Sequence, residues 1–319
     1  MRLGFALPQF GAAADRPEEA ARFAREAERM GAAGLWVGDR LLAPVNPSVG
    51  YGGTDTVPPQ FRSALDPFAL LTVAAGATER VLLGTSVLNA PWYPPALLAR
   101  SLTAIDRISG GRLLPGLGTG WSPEEYRAAG VPMGERGRRL DECLDALEEL
   151  WSDGPAEYRG ALWEVPESHV GLKPVQRPRP PIYLGAFAPA ALRRVARRAD
   201  GWLPAMVLPG RSDPGAVLAG PLAAIREEAA RQGRDPAAVD VVLRINPGPS
   251  VPVREIADAV LSAERGRGGA RLRRPDVPHR GDRPGTGAGR PAPGEDRGAV
   301  TPPPRAPVRR PRVGRPSRG

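Results

Sequence analysis

Gly111-Arg112-Leu113-Leu114-Pro115-Gly116-Leu117-Gly118-Thr119-Gly120-Trp121, followed by Ser122-Pro123-Glu124-Glu125, reads as a buried strand that stops at a glycine turn and opens directly into a helix. Gly116, Gly118 and Gly120 let backbone N–H groups approach a ligand closely, and the helix N-terminus behind them carries partial positive charge. The spacing lacks the two-residue gap of a dinucleotide fingerprint, and no Lys follows as in a phosphate-binding P-loop. Two readings stay open: a strand end that faces a ligand, and a tight strand-to-helix connection that needs glycine for geometry alone. Pro115 has no N–H to give a central strand, which predicts a local irregularity there.

Outward from this stretch the chain repeats the same unit. Apolar runs at 2–8, 34–38, 81–88, 181–185, 200–204 and 239–245 alternate with segments whose apolar residues recur at helical spacing. The clearest helical stripe is Leu140, Cys143, Leu144, Leu147, Leu150 and Trp151, which reads as core. Connections are mostly short, except for 41–62, which is rich in Pro and Gly and reads as an active-site loop. Alternating strands and helices imply a parallel sheet with right-handed crossovers. Seven such units within 264 residues fit a (β/α)8 barrel better than an open sheet, with the eighth βα unit missing. The expected class is therefore α/β, a TIM-type barrel over 1–264.

Residues 265–319 break the pattern. They hold 15 Arg against Asp276, Asp282, Glu295 and Asp296, with 11 Gly, 11 Pro, one Leu and no aromatic residue. The formal charge of +9 thus belongs to this tail, and the first 264 residues are slightly acidic. Such a composition buries too little apolar surface to offset chain entropy, so the tail is expected to be disordered. No aromatic residues interleave with the arginines as stacking platforms, which argues against nucleic-acid binding. Arg, Gly, Pro and Ala are what GC-rich codons give out of frame, and Lys173 is the only lysine. We read the tail as the product of a shifted reading frame. Resequencing tests this, because an in-frame eighth strand and helix should follow from a one-base correction.

Cys143 is the only cysteine, and His169 and His279 are far apart, so no metal constellation is expected. The N-terminus starts as a strand and no apolar run reaches about 18 residues, so a membrane span is not expected and the cytoplasm is.

Several segments together resemble the luciferase-like monooxygenase superfamily, and within it the actinobacterial F-420-dependent oxidoreductases. They are Gly4-Phe5-Ala6-Leu7-Pro8, Leu35-Trp36-Val37-Gly38-Asp39, Leu83-Gly84-Thr85-Ser86-Val87-Leu88, Ile108-Ser109-Gly110-Gly111-Arg112-Leu113, Gly118-Thr119-Gly120-Trp121, Lys173-Pro174-Val175-Gln176 and Asp200-Gly201-Trp202. The resemblance implies a barrel whose strand C-termini hold coenzyme F-420 or, alternatively, FMN. It implies a cis non-proline peptide between Ser86 and Val87 against the tricyclic ring, with Asp39, Gly118, Thr119 and Gly120 bordering the ring. It also implies a phosphate site at Gly185-Ala186-Phe187-Ala188. Hydride transfer between F-420 and a small organic substrate is the activity it implies first. An FMN-dependent monooxygenase is the alternative, and a non-catalytic truncated barrel is a third reading. A homodimer is implied as well. No catalytic residue carries over. Arg40 stands where many relatives have His, and Trp121 where some sugar-phosphate-oxidising relatives have an acid, so neither that proton donor nor that substrate is assigned. Arg40 is left to bind an anionic group or to pair with a surface carboxylate.

Overall fold

The structure, a computed structural model, describes residues 2–210, 213–248 and 250–266. The tail from 267, with its expected disorder and missing eighth unit, lies outside the described residues.

The chain opens with β1 (Gly4–Ala6), α1 (Ala20–Arg29), β2 (Gly34–Val37) and α2 (Pro67–Ala77). The third unit splits its strand into β3 (Leu82–Thr85) and β4 (Leu88–Asn89) before α3 (Pro95–Ser109). The opening stretch likewise forms two pieces, β5 (Leu113–Leu114) and β6 (Gly116–Gly118), followed by α4 (Pro123–Ala128) and α5 (Arg136–Trp151). A hairpin of β7 (Pro155–Arg159) and β8 (Glu164–His169) leaves the barrel, paired antiparallel. The rest is β9 (Tyr183–Leu184), α6 (Pro189–Arg198), β10 (Gly201–Trp202), β11 (Ala205–Leu208), α7 (Pro214–Arg231), β12 (Asp240–Val241), β13 (Arg244–Pro247) and α8 (Val253–Gly266). Helix α8 runs two residues past the point where helix-compatible sequence was expected to stop.

All barrel pairings are parallel. One sheet runs β1-β2-β3-β5, a second runs β12-β10-β9-β6-β4, and β11 pairs with β13. The split strands β3/β4 and β5/β6 join the two sheets, so seven strand positions follow one another in chain order. Among the described residues β1 and β12 are each paired on one side only, and Leu3 and Phe5 beside that edge are 50% and 45% exposed.

Side chains alternate between two layers, as strand geometry requires. Leu35, Leu83, Leu113, Leu184, Trp202 and Val241 face the helices in the main core, with Cys143 and Trp151 of α5. Their neighbours Trp36, Leu82, Leu114, Tyr183, Leu203 and Val242, with Val87, form the inner cluster.

Pro115 is where the fourth strand breaks. Its carbonyl still accepts from Tyr183 N at 2.9 Å, on the β9 side. On the other side Thr85 replaces the ladder with its side chain: Gly116 N donates to Thr85 Oγ1 at 2.8 Å, and that hydroxyl donates to Gly116 O at 2.7 Å. The backbones come so close that a Cβ on Gly116 would lie 1.8 Å from Thr85 O. The first glycine of the triplet therefore serves strand packing.

Candidate active site

The C-terminal ends of the strands form one mouth, the face on which this fold builds its sites. Gln9, just past β1 and 1% exposed, ties the first two strand ends together: Gly38 N donates to its Oε1 at 2.7 Å, and its Nε2 donates to Gly38 O at 2.9 Å. Beyond β2 follow Asp39 and Arg40. Asp39 Oδ2 accepts from Asn89 N at 2.8 Å and from Tyr93 OH at 3.0 Å, fastening the second strand end to the third. Burial raises the Asp39 carboxyl to about 6 despite these two bonds, so its proton is exchanged near neutral pH. The same burial, and the neighbouring carboxylate, push the Tyr93 hydroxyl upward, so it remains a donor.

Arg40 pairs with a carboxylate, one of the two roles the sequence left open, but that carboxylate is buried rather than at the surface. The Arg40 side chain is 7% exposed and pairs with Glu125 of α4, which is 1% exposed. Arg40 Nε donates to Glu125 Oε1 at 3.0 Å, and the same oxygen accepts from Leu41 N at 2.8 Å. Burial lowers Arg40 to about 10, which leaves it charged at neutral pH, so the contact is an ion pair. The guanidinium lies 4.6 Å from the Trp121 ring centroid and 5.4 Å from that of Phe61, which gives Trp121 a role the sequence did not reveal. The next carboxylate along, Glu124, accepts from Ser48 N at 3.0 Å. Helix α4, launched by the glycine stretch, thus grips the loop 41–62 at two points.

Further along that loop, Tyr51 packs against Phe61 at 5.1 Å and Trp121 at 5.8 Å between ring centroids. Its hydroxyl oxygen accepts from Arg244 Nη2 at 2.6 Å and from Asn246 Nδ2 at 3.3 Å. Arg244 Nη1 donates to Ser86 O, so the seventh strand end, the third strand end and the long loop meet at one guanidinium.

The peptide between Ser86 and Val87 is cis, as the resemblance implied. Val87 reaches across the mouth: a Cβ on Gly118 would lie 2.5 Å from its Cγ2, and one on Gly185 would lie 3.0 Å from its Cγ1. What these two glycines accommodate within the chain is therefore Val87. Gly120 turns the chain at φ 63°, and Thr119 O accepts from Tyr126 OH. Ala186 is buried, its carbonyl accepting from Trp202 Nε1 at 2.9 Å, whereas Phe187 is 65% exposed and Ala188 precedes α6. The structure thus gathers Asp39, Ser86, Val87, Gly118, Gly120 and Gly185 at one mouth, and the Phe187 side chain is exposed.

Sequence reading missed Arg244, Asn246, Tyr51, Asn89 and Glu125. The first two were findable: they are polar residues at the C-terminal end of an expected barrel strand. Tyr51 and Glu125 carry no local signal, because their roles depend on contacts 193 and 85 positions away in the chain. A cleft of about 380 Å³ lined by Asp153, His169, Lys173 and Arg177 lies at the other end of the barrel, where α5 finishes. Lys173 is engaged there with Leu150 O at 2.9 Å.

The luciferase-like monooxygenase family matches residues 1–305. The chain belongs to this family. Among relatives of the luciferase-like chain, an uncharacterised protein of Mycobacterium tuberculosis is 32% identical over 183 residues, 56% of this chain and 62% of that protein. An FMNH2-dependent dimethylsulfone monooxygenase of Pseudomonas putida is 33% identical over 57% of this chain and 46% of its own length. The chain therefore spans less than two thirds of these relatives. Monooxygenase RslO1 from Streptomyces bottropensis has the same fold, with TM-score 0.64 and 25% identity over 84% of this chain and 78% of that one. The coenzyme F420-dependent tetrahydromethanopterin reductase of Methanopyrus kandleri shares the fold at TM-score 0.59 and 23% identity, over 76% and 65% of the two chains. The named relatives thus include one that depends on FMNH2 and a fold neighbour that depends on coenzyme F420. Among the described residues no helix is long and apolar enough to cross a membrane, and no cluster of His, Cys, Asp and Glu could hold a metal.

Proposed function

We propose that the protein transfers a hydride between coenzyme F-420 and a small organic molecule, with the cofactor ring at the mouth beside Val87, Gly118 and Gly185. The observation that carries this reading is the mouth itself: the aromatic rings of Tyr51, Phe61 and Trp121 stand beside Arg244, whose buried Nε has no acceptor. A planar ring edged with carbonyls needs that combination of apolar walls and a few convergent donors. The turn Gly185-Ala186-Phe187-Ala188 before α6 is the proposed phosphate site. The bound cofactor would supply the redox chemistry. The chain's part is to orient the ring and substrate and to hold a proton: the buried Asp39, raised to about 6, is a group at this mouth that can take one up or release one near neutral pH.

The resemblance to the F-420-dependent branch supports the deazaflavin. The curated flavin-dependent relative supports a second reading, reduced FMN with oxygen. Parallel titrations of the full chain with F-420 and FMN decide between them. Tight F-420 binding is expected. Tight FMN binding without F-420 binding selects the second reading, and binding of neither, with a molten near-UV spectrum, selects a non-catalytic barrel.

A further inference from the structure

Arg244 is set apart from the other arginines of the mouth and its surroundings by what it lacks. Arg40 has Glu125, and Asp39 is occupied by Asn89 and Tyr93. Arg244 is half-buried, and no carboxylate contacts it among the described residues. Two of its nitrogens are engaged by neutral oxygens, Ser86 O and Tyr51 OH. Its Nε is buried with no acceptor. Tyr51 is left in the complementary state. Its oxygen already accepts from Arg244 and Asn246, and its own proton has no acceptor among the described residues.

A half-buried cation without a counter-charge, next to a buried unengaged N–H, is an arrangement a folded chain normally avoids. Here the chain builds it at the strand C-termini and braces it from three elements, β13, the third strand end and the loop 41–62. Guanidinium N–H and phenol O–H together match an oxyanion, which accepts several hydrogen bonds while its charge balances the arginine. The flanking rings of Tyr51, Phe61 and Trp121 offer apolar contact to the body that carries it.

We propose that Arg244 and Tyr51 form the receptor for an oxyanion of the substrate, a carboxylate, sulfonate or phosphate, so that the enzyme selects anionic small molecules. The proposal rests on the redox reading of the mouth, because it places substrate recognition next to the proposed ring.

Benzoate and benzamide have nearly the same shape and differ in charge, which makes them suitable probes alongside inorganic phosphate. Each is titrated against the full chain, with and without bound cofactor, by quenching of tryptophan fluorescence. Benzoate is expected to bind at least tenfold more tightly than benzamide. That preference should fall to near unity in Arg244→Gln, persist in part in Arg244→Lys, and drop severalfold in Tyr51→Phe, with unchanged urea midpoints. Equal binding of benzoate and benzamide by the wild-type chain overturns the proposal, as does a preference that Arg244→Gln leaves intact. If cofactor binding abolishes the benzoate preference and cofactor affinity itself falls tenfold in Arg244→Gln, the oxyanion belongs to the cofactor and the substrate assignment is overturned. A benzoate preference in a chain that binds neither F-420 nor FMN sinks the redox reading and leaves the oxyanion receptor standing.

Discussion

The two ends of the barrel each hold an arginine network, and they are built on opposite principles. At the strand N-termini Arg112, 3% exposed, engages all five of its N–H groups: Nε on Ser109 O, Nη1 on Thr78 Oγ1 and Val81 O, and Nη2 on Ala75 O and Thr78 O, all between 2.7 and 3.0 Å. Two of those acceptors, Ala75 O and Thr78 O, are carbonyls at the end of α2, so one side chain caps a helix and joins it to two strands. Nearby Asp106, fully buried, accepts from Val175 N, Gln176 N and Gln176 Nε2 and fixes the return of the chain from the hairpin. At the mouth, Arg244 engages two of its groups and leaves Nε unengaged. A saturated network gives rigidity. An unsaturated one leaves a buried donor without an acceptor.

This contrast can be broken by experiment. Arg112→Ala leaves five buried acceptors without a donor and should cost about 4–5 kcal/mol of stability by urea unfolding. A loss below about 1 kcal/mol would end the idea that the lower network holds the barrel. Glu125→Gln removes the counter-charge of a buried arginine and should cost about 3 kcal/mol. The double variant with Arg40→Met should lose clearly less than the sum of the two single changes, because the ions then leave together. A strictly additive result would mean that the pair is not coupled.

Asp39 sharpens the comparison through pH. Its folded value of about 6 lies above the ordinary carboxylate value, so between about pH 4 and pH 6 the native state holds a proton that the unfolded chain has released. Its contribution to stability is therefore present at low pH and lost as pH rises through 6. Asp39→Asn cannot ionise, so its stability relative to wild type should improve by about 2 kcal/mol between pH 4 and pH 7. Urea midpoints measured across that range check the sign, and a parallel pair of curves refutes it. Arg244→Gln should change stability by less than about 1 kcal/mol, since its engaged partners are few.

Much of the architecture was legible because it is written in local patterns. Apolar runs closed by glycine and helical stripes such as Leu140, Cys143, Leu144 and Leu147 depend on neighbours only a few positions away. Cys143 is buried as that stripe requires, and burial pushes its thiol up to about 12. The triple glycine was legible as a feature but not in its meaning. Gly116 answers to Thr85, and Gly118 answers to Val87, partners 31 positions away in each case.

The sequence by itself determined the alternation of strands and helices, the direction of the sheet and the family of this chain. The alternation and the sheet direction follow from periodicities of two and 3.6 residues and from turn residues, all short-range quantities, and the family from the resemblance of short motifs in a fixed order. The tertiary structure alone decided that Arg40 faces a buried glutamate, that Trp121 stacks on that arginine, and that Arg244 keeps an unengaged donor. Charge balance and hydrogen-bond saturation are sums over everything within a few ångströms, and only folding brings residues 51, 86 and 244 within that range.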